Sequence, residues 1–127
     1  LLHPGATKRP ADNVWSPGEY GCHVRDVFRL FDFRLELMLT EDDPMFPNWD
    51  QDETAVSDRY DLQDPLVVRR ELAIAGDLLA ERFDAVTAGE WLRTGLRSDG
   101  ARFTVDSFGR YLLHDPIHHL WDVSRTY

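Results

Sequence analysis

Ser16-Pro17-Gly18-Glu19-Tyr20-Gly21-Cys22-His23-Val24-Arg25-Asp26-Val27-Phe28 decides how this chain folds. Its first four residues are a helix start. Ser16 has the side chain of an N-cap, Pro17 suits the first helical position, and Glu19 stands where a capping box needs a carboxylate. Beyond them, apolar residues recur at Tyr20, Val24, Val27, Phe28, Phe31, Leu35 and Met38, the stripe of a helix packed along one side. The stripe predicts a helix over about residues 16–40. Glu41-Asp42-Asp43-Pro44 ends it, because acidic side chains meet the negative helix end and proline stops the turn.

The same signs recur twice downstream. Asp64-Pro65 opens a second helix that carries Leu66, Val67, Leu72, Ala75, Leu78, Leu79 and Phe83, over about residues 64–86. Thr104 caps a third, with Phe108, Tyr111, Leu112, His114, His118 and Trp121, over about residues 104–125. An aromatic and proline-rich loop, Pro44 to Asp50, follows the first helix, with a short helical turn expected around Thr54 to Tyr60. Thr87-Ala88-Gly89-Glu90 reads as a turn, and Ser98-Asp99-Gly100 as the tip of a small hairpin within Arg93 to Phe103. Pro116 falls inside the third helix, where it removes a hydrogen bond and crowds the Leu112 carbonyl at a cost of about 3 kcal/mol. Because the periodicity runs on from Phe108 to Trp121, a bend between His114 and His118 is expected rather than a break. The fold class is all-α.

Composition narrows the function. With 127 residues the chain fits one domain with a real core, and a hydrophobic fraction of 43% argues against disorder. A net charge of −9 disfavours nucleic acid and anionic membranes, which call for basic surfaces. Charges interrupt every apolar run before the roughly 20 residues of a membrane span. Cys22 stands alone, so no internal disulfide can form, as expected in a reducing cytoplasm. Leu1-Leu2-His3-Pro4 has neither the basic start nor the apolar core of a signal peptide.

Three histidines have the spacing of a metal site. His114 and His118 are four apart, which on a helix points both the same way with roughly 6 Å between Cβ atoms. His23 borders the stripe of the first helix. Three imidazoles and an open position are the arrangement of a catalytic metal rather than a structural one. Zinc is the default for such ligands, with nickel and iron as alternatives. His119 is the rival ligand, pairing at helical spacing with Asp115 on the opposite side; otherwise it is a wall or supporting residue. Asp26 and Asp122 are placed to orient imidazoles through their second nitrogens, or else are solvated helix charges. Tyr111, Trp121 and Tyr20, with Phe46 and Trp49 from the aromatic loop, are the expected walls of a cleft leading to the ion. Cys22 points about 100° away from His23 around the helix and reads as a packed small residue.

Trp15-Ser16 opening a helix, His23-Val24-Arg25-Asp26 following, and His114-Asp115-Pro116-Ile117-His118-His119-Leu120-Trp121-Asp122 near the end resemble the DinB/YfiT-like superfamily, over about Val14 to Val123. The resemblance implies an up-down four-helix bundle holding a divalent metal on one early histidine and a late pair, here His23, His114 and His118. The family includes thiol-dependent transferases and isomerases, among them mycothiol-dependent maleylpyruvate isomerase, which has a Glu where His114 stands. It therefore implies a small-molecule thiol and an electrophile as partners. The family also has a long helix ahead of the one bearing the metal histidine. Pro4, Gly5 and Pro10 prevent Leu1 to Val14 from being that helix. The expectation is a chain lacking its first helix, whose open apolar face favours a homodimer.

Other motifs fail. Asp50-Gln51-Asp52-Glu53-Thr54 begins like a calcium loop, but Ala55 and Asp61 occupy the required Gly and Glu positions. Gly18, Gly21 and Gly109 are scattered within helices and cradle no phosphate, and no nucleophile elbow appears. Two function classes remain: a metal enzyme using water or a thiol as nucleophile, with Asp115, Tyr111 or His119 available to move protons, and a metal-binding or stress-linked module without turnover.

Overall fold

The computed structural model describes residues 5–114. It contains four helices, α1 (Pro17–Thr40), α2 (Gln51–Ser57), α3 (Pro65–Asp84) and α4 (Val105–His114). Three short strands, β1 (Met45–Phe46), β2 (Thr94–Arg97) and β3 (Arg102–Thr104), join in the order β1-β2-β3. No described helix is long and apolar enough to cross a membrane.

The caps expected from the sequence form. Ser16 Oγ accepts from the Glu19 N–H at 3.1 Å and Glu19 Oε1 from the Ser16 N–H at 3.0 Å. Asp64 accepts from the Leu66 N–H, and Thr104 Oγ1 from the Ser107 N–H. Arg9 adds a tie ahead of α1, donating to both Glu19 carboxylate oxygens at 2.7 and 2.5 Å. The short helical turn starts earlier than the expected Thr54: Asp50 accepts from the Asp52 and Glu53 N–H groups, so α2 begins at Gln51.

Met45 and Phe46 also depart from the loop expected there. They pair parallel with Leu96 and Arg97, turning the predicted hairpin into a three-stranded sheet. Gly95 makes this possible, since a Cβ there would lie 2.4 Å from the Phe46 ring. The hairpin tip is where it was predicted, with Gly100 at φ 96°, a conformation that suits glycine.

Contacts along the two long helices fix their directions. Pro65 approaches Gly18, Glu71 pairs with Arg25 and Arg29, and Arg82 pairs with Asp32 and Glu36. α1 and α3 therefore run parallel. The connection from residue 41 to 64 is long enough to carry the chain back to the start of α1. α4 runs the other way. It begins where the Val105 N–H donates to the Arg93 carbonyl, while Arg93 Nε donates to the Met38 carbonyl at 2.6 Å. From there it returns along α1, with Phe108 and Tyr111 stacked on Phe31.

The main core gathers Phe31, Leu35, Met38, Phe46, Leu79, Val105 and Phe108 under the sheet. A second cluster, Cys22, Ala55, Tyr60 and Val68, closes the opposite end of α1. On α3 the expected apolar set is partly turned outward: Leu66, Val67 and Leu78 are exposed, whereas Val68, Ala75 and Leu79 are buried. The helix is apolar on two overlapping sides, and packing on α1 selects the one spaced 68, 75, 79.

Candidate functional site

α1 carries the site. His23, Val27, Leu30, Phe31 and Arg34 follow one another at helical spacing and line a cavity of about 260 Å³. His23 and Arg34 are eleven residues apart, three turns, so they point within about 20° of each other and lie roughly 16 Å apart along the axis. The opposite wall comes from Asn48, Trp49 and Gln51 after β1, Arg97 and Asp99 on the hairpin, and Tyr111 on α4. The chain thus brings two connections and a second helix onto one stripe of α1.

At one end His23 is buried, 5% exposed. Its ring stacks on Trp49, with centroids 5.8 Å apart and planes 5° apart, and Trp15 leans on it at 5.2 Å. Trp15 and Tyr20 also border a second recess that His23 lines as well. Two indoles hold the imidazole plane and keep bulk water from it. At the other end Arg34 is 7% exposed, lies over the Phe46 ring at 5.2 Å and donates from Nη2 to the Pro47 carbonyl at 2.9 Å. Burial, with the Arg97 charge nearby, lowers its pKa from the usual arginine value. Arg97 is held by Asp99 through two bonds of 2.9 and 2.8 Å, and this pairing takes the Asp99 carboxyl down to about 2.

Tyr111 and Trp49 line the cavity and Tyr20 borders the recess. Phe46 does not: it is fully buried in the core, beneath Arg34. Asp26 is also corrected. Its carboxylate accepts from the Tyr60 hydroxyl and from Arg25 Nε at 2.9 Å, so it belongs to a buried charge cluster rather than orienting the His23 imidazole. Cys22 is packed at 0% exposure, and burial raises its thiol to about 11. Arg34 and Arg97 were not picked out from the sequence. For Arg34 a signal exists: it is a cation set among Val27, Phe31, Leu35 and Met38, where an apolar residue belongs.

Among the described residues no three His, Cys, Asp or Glu side chains gather in the manner of a metal site. His114 is the last residue of α4, one turn beyond Tyr111 on the strand of chain returning toward His23. The direction of its imidazole lies outside the described residues, as do Asp115, His118, His119, Trp121 and Asp122 and the bend at Pro116. What is described fits a metal-binding role on one count: His23 stands buried in a cavity wall that the approach to His114 also forms.

YfiT from Bacillus subtilis, described as a probable metal-dependent hydrolase with an unusual four-helix bundle topology, has the same fold. Its TM-score is 0.77 at 20% sequence identity, and the match covers 99% of this chain and 74% of that one. No curated protein matches the sequence significantly. The DinB superfamily matches residues 5–123, nearly the whole chain, so the protein belongs to the DinB superfamily.

Proposed function

We propose that this chain is a divalent-metal enzyme that turns an activated nucleophile on a small electrophile held in the His23 cavity. The ligands are His23, His114 and His118, with zinc the first candidate and nickel or iron the alternatives. The observation that supports it best is the position of His23, buried in the wall of a cavity that Tyr111, one turn before His114, also lines. A divalent ion there lowers the pKa of a bound thiol or water enough to supply a nucleophile at neutral pH. Trp15 and Trp49 shield the imidazole, and Val27, Leu30 and Phe31 offer an apolar wall to the electrophile. Tyr111, on the cavity wall, is the residue this reading assigns to exchange a proton.

The nucleophile comes from outside the chain. Cys22 is the single cysteine, and burial keeps it a thiol up to about 11, so it supplies no thiolate at neutral pH. We therefore assign a low-molecular-weight thiol as cosubstrate, in an S-transfer or isomerisation reaction. The description of YfiT as a probable metal-dependent hydrolase favours a second version, in which water is the nucleophile.

Metal-loaded protein incubated with mycothiol and 1-chloro-2,4-dinitrobenzene, and separately with 4-nitrophenyl acetate, tests both. Metal-dependent thioether formation with chloride release is the expected outcome. Metal-dependent ester cleavage without thiol use would favour the hydrolase. Neither reaction, with one ion bound per chain, would leave a metal-binding module without turnover.

A further inference from the structure

We propose that the Arg34 end of the cavity is a carboxylate-binding subsite, so that the molecule held beside His23 is a small, flat organic acid. The inference takes the His23 cavity as the substrate site and adds the class of substrate.

Arg34 is more than nine-tenths buried, yet among the described residues its only hydrogen bond is the one from Nη2 to the Pro47 carbonyl. Nε is sealed from water and has no acceptor among the described residues. No described carboxylate pairs with the guanidinium, and Asp99, the carboxylate among the described cavity-lining residues, is engaged on both oxygens by Arg97. Buried cations are ordinarily paired, because taking one out of water without a counter-charge is strongly unfavourable. The Phe46 face and one carbonyl offset part of that cost but supply no negative charge.

The imbalance is local. The cavity is lined by two guanidinium groups and one carboxylate, in a chain whose net charge is −9. An anionic guest would complete it. A carboxylate is the natural one, since its planar pair of oxygens matches the fork of a guanidinium, and charge-assisted bonds of this kind are among the strongest. Phe31, Trp49 and Tyr111 line the space between Arg34 and His23, which suits an unsaturated or aromatic body, and a volume of about 260 Å³ admits roughly one ring with its substituent. If Arg34 served only to hold the Pro47 loop, Nη2 alone would suffice, and nothing would require a charge at the cavity wall.

Benzoate and benzamide, nearly identical in shape and differing in charge, are the probes. Each is titrated into the full chain by calorimetry, before and after chelator treatment, so that binding to a metal is separated from binding to arginine. Benzoate is expected to bind about tenfold or more tightly than benzamide in both preparations, the scale of a charged hydrogen bond. Arg34→Met should remove that preference with metal content unchanged, and Arg34→Lys should keep part of it. Equal affinities in the chelated protein, or a preference that survives Arg34→Met, would overturn the subsite while leaving the metal proposal intact. A preference that persists in a protein with no metal affinity would do the reverse. Should Arg34→Met fail to fold, the benzoate preference of Arg34→Lys decides: undiminished discrimination there contradicts the fork-to-carboxylate match.

Discussion

Two buried arginines nine residues apart on α1 have opposite surroundings. Arg25, 4% exposed, donates to Asp26 at 2.9 Å, to Gln63 at 2.7 Å and to Glu71 at 3.1 Å, while Asp26 in turn accepts from the Tyr60 hydroxyl. Every charge in that cluster has a partner, and it ties α1 to α3 and to the turn at Tyr60. Arg34 is nearly as deeply buried and has, among the described residues, one carbonyl and one ring face. Residue type and burial are the same, so the difference lies in counter-charge. A complete cluster holds the fold; an incomplete one, on a cavity wall, is available to a ligand.

Replacing each arginine by methionine should separate the two roles. Arg25→Met leaves Asp26 half-buried without its cation, and breaking a buried pair in this way costs about 3 kcal/mol. Thermal unfolding followed by circular dichroism should show a fall of roughly 10 °C. Arg34→Met removes a buried charge that has no counter-charge among the described residues and supplies an apolar chain over Phe46. Its stability should stay within about 1 kcal/mol of the parent, or rise. Equal losses in the two variants would break the comparison, because Arg34 would then be structural.

How far the sequence revealed these regions depends on distance along the chain. The caps at Ser16 and Asp64 and the turn at Gly100 are local, set by residues within four of each other, and were legible. The parallel course of α1 and α3 was not, because it is decided by contacts such as Glu71 with Arg25, forty-six residues apart. The same holds for Asp26, whose carboxylate could be read as a support for a histidine until Tyr60, thirty-four residues on, was seen to take it. Met45 and Phe46 became a strand because Gly95 left room for a ring, a fact no local pattern contains. His23, which the structure buries in a cavity wall, is singled out in the sequence by its order with the late histidines. Arg34 carried a signal, a cation on an apolar stripe, that only the three-dimensional cavity makes meaningful.

A third arginine sharpens the contrast with a smaller effect. Arg9 is 41% exposed on its side chain, but its partner Glu19 is 3% exposed and also completes the helix cap. The hydrogen bond from Arg9, with those from Ser16, lowers the Glu19 pKa below the ordinary carboxylate value. A depressed folded-state pKa means the contribution is complete above the unfolded value and is lost as pH falls through the folded one. Urea midpoints should therefore fall more steeply for the parent than for Glu19→Gln as pH drops below about 4.5. Above that range the parent should be the more stable of the two. Parallel curves would mean that Arg9 and Glu19 add nothing to the start of α1.

Metal content is the direct readout of the metal site proposed at His23. The parent chain and His23→Ala, each purified without added metal and then dialysed against a slight excess of zinc, would be compared by elemental analysis alongside far-ultraviolet circular dichroism. About one ion per parent chain and little in the variant, with helix content retained, is the predicted result. Equal metal in the two proteins would take His23 out of the site and contradict the account.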